Sequence, residues 1–110
     1  MATQPPYRVK LVESVMTGAD ITVRRFVLAP GEAIPWHRHS STDDLCVLLS
    51  GSLRVETREP GTERVLAPGG THRTPAGTLH HLSNAGAEDC CFLLIQGVGT
   101  RDFVKLEPSA

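Results

Sequence analysis

Residues 31–51, GEAIPWHRHSSTDDLCVLLSG, place two histidines one residue apart, then two aspartates, then an apolar run that ends in serine and glycine. In a β-strand, residues two apart point to the same face, so a strand would direct His37 and His39 to one point and the arginine between them away. If the next strand begins at Asp44, this carboxylate shares a face with Cys46 by the same alternation. The stretch therefore predicts two strands with polar side chains gathered where one ends and the next begins.

The rest of the chain consists of short β-type segments separated by turns. Segments of about five to ten residues alternate in polarity or are rich in β-branched residues, and no sustained helical period is present. These segments are residues 7–14, 20–29, 45–50, 53–58, 63–67, 90–96 and 102–106. Gly, Pro and Asn mark the turns between them, as in TGAD, APGEAIP, EPGTE and SNAGAED. This regular spacing predicts an all-β fold, either an antiparallel sandwich or a closed barrel.

Length, charge and cysteine content bound the function. The 110 residues suffice for one domain with one core, so we expect a single domain over residues 1–110. The formal charge is −1 and there is no basic stripe, which argues against a nucleic-acid or membrane partner held by electrostatics. No segment is apolar for long enough to be a signal peptide or a membrane span, so we expect a cytoplasmic protein. The three cysteines, two of them adjacent, favour reduced thiols over disulfides.

A second polar stretch, GGTHRTPAGTLHHLSNAG, covers residues 69–86. Its residues at fixed intervals are Gly69, Pro75, Gly77, His80 and Asn84. Together with the glycines, the H-x-H pair and the acid of the first stretch, these positions resemble the two sequence motifs of the cupin family. The first motif, residues 31–51, matches with Asp44 in place of the usual glutamate, and the second, residues 69–84, matches at every position. The resemblance covers about residues 20–97.

This resemblance implies a double-stranded β-helix, a jelly-roll barrel of two antiparallel sheets with a metal ion inside. Carried over residue by residue, the metal ligands would be His37, His39, Asp44 and His80. Three imidazoles and one carboxylate suit Fe, Mn, Ni, Cu or Zn better than Mg or Ca. Four protein ligands would leave an octahedral ion two positions for water, oxygen or substrate. Because the family often forms dimers, the resemblance also implies a homodimer.

The aspartate in the first motif leaves its role open. Its side chain is one methylene shorter than glutamate and loses about 1.5 Å of reach. Either the backbone lies closer to the metal, or Asp44 stands behind the ligands and orients a water or a histidine. Asp43 is an alternative carboxylate, and a pocket without metal is a further alternative.

Several neighbouring residues are expected to have structural roles. Alternation places His80 inside and His81 at the surface or rim, so only one of these two histidines is a candidate ligand. The motif glycines are expected to adopt positive φ or to allow a close backbone approach, and Asn84 to open a turn. Trp36 is expected to pack at the barrel mouth.

Two classes of function fit this pattern. The first is a metal-dependent enzyme acting on a small organic substrate, which by resemblance would be a dioxygenase, an isomerase, a lyase or a decarboxylase. In such an enzyme Asp43 and His72 are our candidates for proton transfer. The second is a non-catalytic cupin that binds a small ligand or senses a metal, and the fold alone does not choose between the two. The low aromatic content favours a small polar or aliphatic ligand over a large planar one.

Overall fold

The structure, a computed structural model, describes residues 7–97 and 102–106. In this part of the chain all regular structure is β, which confirms the predicted all-β class. The strands are β1 (Leu11–Thr17), β2 (Thr22–Leu28), β3 (Ala33–Arg38), β4 (Asp44–Ser50), β5 (Leu53–Thr57), β6 (Thr62–Leu66), β7 (Thr71–Thr74), β8 (His80–Asn84), β9 (Cys90–Gln96) and β10 (Val104–Lys105). Residues 1–6, 98–101 and 107–110 of the predicted single domain lie outside the described residues. Within the described ranges, no helix has the length and apolar character needed to cross a membrane.

The strands form two antiparallel sheets of five strands each. The first sheet has the order β1-β2-β9-β4-β7, and the second has the order β10-β3-β8-β5-β6. Buried side chains from both sheets pack into one core. The predicted jelly-roll barrel of two antiparallel sheets is therefore confirmed.

Two strands, β1 and β10, differ most in extent from the segments that the sequence pattern indicates. β1 begins at Leu11 and runs to Thr17 because its pairing with β2 continues to the turn between them. β10 is limited to two residues, Val104 and Lys105, which pair with the end of β3. These differences leave the order of the strands unchanged.

The interior of the barrel has a polar end and an apolar end. On β4 the inward side chains run from Asp44 through Cys46 to Leu48, and on β9 they run from Gln96 to Phe92. The polar end consists of the buried residues His37, His39, Thr42, Asp44, Thr57, Thr74, His80 and Gln96. The apolar end consists of Phe26, Leu28, Ile34, Leu48, Leu53, Val55, Leu66, Leu82, Cys90, Phe92 and Leu94. Strand register explains the division, since Asp44 lies beside Gln96 and Thr74, and His80 lies beside His37 and Thr57.

The outer faces of the two sheets also differ. Alternation directs an apolar set outward from the first sheet, namely Val23, Val27, Leu45, Val47, Leu49, Cys91, Leu93 and Ile95. The corresponding face of the second sheet carries Trp36, Arg54, Glu56, Glu63, Val65 and His81. The charged face is suited to water, whereas the apolar face is suited to a protein contact.

Turns at the ends of the strands use the motif residues as predicted. Gly51 has a φ of 85°, and an added Cβ there would lie 2.7 Å from the Asp89 oxygen and from Cys90, so this position needs glycine for two reasons. Asn84 donates to the carbonyls of Leu28 (3.0 Å) and Glu88 (2.6 Å). The predicted turn at Asn84 thus also ties the end of β2 to the loop before β9.

Candidate metal centre

Four polar side chains meet at the polar end of the barrel. His37 comes from β3, His39 follows that strand directly, and Asp44 and His80 are the first residues of β4 and β8. All four are buried, and their potential ligand atoms lie within 4.8 Å of one another. Arg38, between the two histidines of β3, is exposed, as strand alternation requires. The structure therefore brings together the four residues that the sequence motifs single out.

Backbone carbonyls fix the orientation of all three imidazole rings. The Nδ1 atoms of His37 and His80 lie 2.6 Å and 2.9 Å from the carbonyl oxygens of Pro35 and Thr78. The Nδ1 of His39 contacts the carbonyl oxygen of Asp102 in the same way. A carbonyl oxygen only accepts, so each Nδ1 carries the proton and each Nε2 keeps its lone pair. Metal-binding histidines have this arrangement, in which the second ring nitrogen donates to a fixed acceptor.

The lone pairs of two of these rings converge on one carboxylate oxygen. The Oδ2 atom of Asp44 lies 3.0 Å from Nε2 of His39 and 3.1 Å from Nε2 of His80. With the protons on Nδ1, these contacts bring acceptor against acceptor, which is favourable only with a proton or a cation between them. Ligands at bond lengths of about 2.0–2.2 Å on one ion are also separated by about 3 Å. The residues therefore fit a divalent transition metal, and Asp44 extends into the cluster despite its short side chain.

Charge is distributed in the cluster as a cation requires. Burial, aided by the nearby His80, lowers the pKa of His37 to about 3, so this ring is neutral. Burial alone would raise the pKa of Asp44, but its contacts with His39 and His80 outweigh burial and hold that pKa well below its usual range. At His39 burial likewise acts to lower the pKa, and the contact with Asp44 reverses the sign. The cluster thus combines an ionised carboxylate with imidazoles, and a proton or a metal ion can be shared between them.

Gln96 holds the second oxygen of the carboxylate. Its Nε2 donates to Oδ1 of Asp44 at 3.0 Å and lies 3.3 Å from Nε2 of His39. Its Oε1 accepts from Nη2 of Arg24 at 3.0 Å. Because Gln96 is only 3% exposed, this chain of contacts fixes the carboxylate with Oδ2 directed at the histidines. The motifs do not include Gln96, although alternation along residues 90–96 indicates that it points inward.

The segment around β10 covers one side of the cluster. The Phe103 ring stacks on that of His37, with centroids 4.3 Å apart and planes at 20°. The Tyr7 ring lies 5.2 Å from Phe103. The side chain of Asp102 accepts from the backbone N–H of Ser40 at 2.8 Å, next to the carbonyl that orients His39. Sequence reasoning missed these contributions because no local pattern links them to the histidines.

The two candidates for proton transfer lie outside the cluster. Asp43 is a surface residue with a side chain 41% exposed, and it accepts from the N–H of Ala76 at 2.9 Å and pairs with Arg73. These two contacts lower its pKa. His72 is half-buried on β7 opposite Cys46, with its Nδ1 3.4 Å from Nη1 of Arg64. Burial, followed by the Arg64 charge, lowers the pKa of His72. Both residues lie outside the cluster, and a proton-transfer role for either of them stays a prediction.

The neighbouring histidine of β8 takes no part in the cluster. His81 lies on the outer face, with its ring centroid 5.4 Å from that of Trp36 and its Nδ1 3.4 Å from Glu56. The guanidinium carbon of Arg58 lies over the Trp36 ring, 4.3 Å from its centroid. Trp36 therefore packs on the surface of the second sheet.

The sequence profile of the cupin domain matches residues 24–96. The chain belongs to the cupin family. A germin-like protein of Morus alba is 32% identical over 82 residues, which is 72% of this chain. The chain spans only 39% of the length of that relative. The match to the family covers both histidine motifs and all four residues of the cluster.

Solved structures show the same cupin fold. A protein of Klebsiella pneumoniae with a double-stranded β-helix domain has 23% identity and a TM-score of 0.78, with coverage of 94% of this chain and 90% of that protein. A protein of Thermus thermophilus has 26% identity and a TM-score of 0.73, with coverage of 86% and 90%. An oxalate oxidase has 22% identity and a TM-score of 0.73, with coverage of 79% of this chain and 46% of the enzyme. The fold is therefore shared by small single domains and by parts of longer proteins.

Proposed function

We propose that this cupin domain binds a divalent transition metal through His37, His39, Asp44 and His80 and is a metal-dependent enzyme acting on a small organic substrate. The observation that carries the proposal is the convergence of imidazole lone pairs on Oδ2 of Asp44 at 3.0 and 3.1 Å. When bound, Fe, Mn, Ni, Cu or Zn would polarise substrate oxygen atoms or, if redox-active, activate dioxygen. Whether the reaction is that of a dioxygenase, an isomerase or a lyase is left open by the residues.

The chain itself supplies orientation and charge at this site. The carbonyls of Pro35, Thr78 and Asp102 hold the three rings in one tautomer, and Gln96 holds the carboxylate. Burial keeps bulk water away from the ligands and strengthens the field of any charge placed there. Of our two proton-transfer candidates, His72 is the better suited to act as a base. Its lowered pKa leaves the imidazole neutral and able to accept a proton at neutral pH.

Enzymes among the structural neighbours support an enzymatic function. They include oxalate oxidase and DMSP lyases, the latter with a TM-score of 0.67 and 21% identity. Both chemistries belong to those proteins. They show that the same fold supports reactions on small molecules, and they are consistent with a similar role for this chain.

The metal content of purified protein tests the proposal. We expect close to one transition-metal ion per chain in untagged protein prepared without added metal or chelator, measured by elemental analysis. His80→Ala should lose the metal, whereas His81→Ala, at the adjacent position on the outer face, should keep it. Circular dichroism would verify that both variants are folded. A folded wild type that neither carries nor takes up metal would contradict the proposal and favour a non-catalytic ligand-binding cupin.

We also propose that the protein is a homodimer that associates through the apolar outer face of the first sheet. The charges on this face are paired within one copy, Arg25 with Glu13 and Arg73 with Asp43. Two identical faces can therefore approach without net repulsion, and the apolar side chains between the pairs would be buried. A second copy fits this neutral surface better than a strongly charged partner does.

Light scattering coupled to size exclusion would test the dimer. Leu49 on this face is 47% exposed, and Val65 on the outer face of the second sheet is 54% exposed. We expect dimer mass for the wild type and Val65→Glu, and monomer mass for Leu49→Glu. A wild type of monomer mass at all concentrations would contradict the proposed association.

A further inference from the structure

One cation points into the polar end of the barrel. Alternation on β2 places Arg24 on the same face as Phe26 and Leu28, which are fully buried. Its guanidinium carbon lies 5.4 Å from the centroid of the Phe26 ring, and its Nη2 donates to Gln96. Arg24 is partly buried there, and an arginine on the inward face of a barrel strand is unusual because even partial burial of a charge is costly without an anionic partner.

Arg24 is close enough to the candidate metal centre to share a small ligand with it. Gln96 bridges the two, with 3.0 Å on the arginine side and 3.0 Å on the Asp44 side. Because an amide group separates its oxygen and nitrogen by about 2.2 Å, the guanidinium lies within about 8 Å of the carboxylate. With its hydrogen bonds included, a molecule of two to four carbons is long enough to reach from the guanidinium to the ligand cluster over a distance of this size.

The Arg24 guanidinium has hydrogen-bond donors available for a ligand. A guanidinium carries five N–H donors in a planar fork that fits a carboxylate in bidentate fashion. Within the described ranges Arg24 donates one hydrogen bond, to the neutral amide of Gln96, and forms no ion pair. By contrast, Arg25, Arg54 and Arg73 each pair with a carboxylate of the chain. Arg24 therefore has the donors and the charge for an anion that the described chain does not supply.

The net charge of the occupied site also favours an anion. A divalent ion held by three neutral imidazoles and one carboxylate has a net charge of about +1, and Arg24, joined to the cluster through Gln96, adds another positive charge beside it. Tyr7, next to Phe103, interacts electrostatically with both Arg24 and Asp44. Burial raises the pKa of Tyr7, so its phenol keeps the proton and is a further donor.

We propose that Arg24 is the carboxylate-binding residue of this pocket and that the substrate is a small organic acid of two to four carbons. One end of the acid would lie on the Arg24 guanidinium and an oxygen at its other end would lie at the metal centre. The inference rests on the proposed metal site and narrows its substrate class from any small molecule to anions.

Calorimetric titration of zinc-loaded protein with glycolate and with its neutral amide, glycolamide, tests this assignment. Zinc is redox-inert, so binding is measured without turnover. We expect the wild type to prefer glycolate by tenfold or more. Arg24→Gln, which keeps an amide donor for Gln96 but lacks the charge, should lose that preference, and Arg24→Lys should retain part of it. Arg38→Gln, which removes an exposed arginine of β3, should bind like the wild type.

Zinc content measured before each titration separates the possible failures. A wild type without zinc would contradict the metal site, and this inference with it. If zinc is retained but Arg24→Gln still prefers glycolate, the carboxylate assignment alone is wrong. Loss of zinc in Arg24→Gln would show that Arg24 acts structurally through Gln96, which also overturns the assignment. Should that variant fail to fold, the Nε–Hε signal of Arg24 in the wild type must shift on addition of glycolate and remain unchanged with glycolamide.

Discussion

The polar and apolar ends of the barrel interior are built on the same strands and are both buried, yet their chemistry is opposite. β4 contributes Asp44 to one end and Leu48 to the other, and β9 contributes Gln96 and Phe92. At the apolar end the rings of Phe26 and Phe92 stack with centroids 5.3 Å apart. At the polar end the three imidazoles, the carboxylate and the glutamine amide each have a hydrogen-bond partner instead.

This difference separates the source of stability from the source of function. Each apolar side chain that is fully buried stabilises the fold by about 1.5–3 kcal/mol. Buried polar groups stabilise little in net terms and are costly when unpaired. The apolar end therefore holds the sheets together, and the polar end can be specialised for binding as long as its partners stay in place.

Truncation at the apolar end should give the largest loss of stability. We expect Phe92→Ala to lower the free energy of unfolding by about 3–5 kcal/mol because it leaves a cavity beside Phe26. Urea denaturation would measure the loss, and elemental analysis of the folded variant should still find metal. A destabilisation below about 1 kcal/mol would mean that the apolar end repacks more freely than its stacked rings indicate.

Removal of metal should destabilise the polar end by an amount set by the metal's affinity and concentration. With metal at about 100 to 1,000 times its Kd, binding contributes about 3–4 kcal/mol, so a chelator should lower the Tm. His80→Ala is the control because its Tm should not respond to the chelator. An equal response in this variant would place the effect outside the proposed cluster.

Two glycine substitutions at the apolar end separate the cost of a positive φ from the cost of a steric clash. Gly51→Ala and Gly69→Ala both put a side chain at positive φ, which costs about 1–2 kcal/mol. Only at Gly51 would the new Cβ meet the backbone before β9, whereas nothing lies within 4 Å of it at Gly69. We expect Gly51→Ala to be the more destabilising by about 1 kcal/mol or more in thermal unfolding. Equal losses would show that the loop before β9 moves aside.

The two adjacent carboxylates, Asp43 and Asp44, allow a matched test of metal affinity. We expect Asp44→Asn to weaken metal affinity about 10- to 100-fold, whether the carboxylate binds the ion or orients a ligand. Asp43→Asn, one residue away and paired with Arg73 at the surface, should keep the wild-type affinity. Calorimetric titration with zinc would compare them. A similar loss in both variants would point to the loop that carries them rather than to Asp44.

Local pattern in the sequence predicts much of this organisation. Alternation and turn residues predict an antiparallel sandwich or barrel, and the family resemblance implies the two-sheet jelly roll. Motif spacing together with alternation selects His37, His39 and His80 over His81. The strands β3, β7 and β8 lack long apolar runs, so only the motifs indicate them. Periodicity alone is a weak signal where histidines and prolines occupy a short strand.

The remaining parts of the site depend on contacts between distant segments. Gln96 is signalled by alternation on β9, but its bond to Asp44 depends on the register between β9 and β4. The carbonyl of Asp102 is a backbone atom, and no residue type in the sequence encodes its contact with His39. The surface position of Asp43 likewise depends on its pairing with Arg73, thirty residues away along the chain. Such long-range pairings are fixed by the fold as a whole.

The bond between His39 and the Asp102 carbonyl also bears on the timing of biosynthesis. Sixty-three residues separate the two partners. At about 5–20 residues per second, translation adds Asp102 about 3–13 s after His39. Until then the imidazole of the nascent chain lacks the acceptor that sets its tautomer. Tight metallation is therefore expected only after residue 102 has left the ribosome, because until then the His39 ring is not held towards the other three ligands.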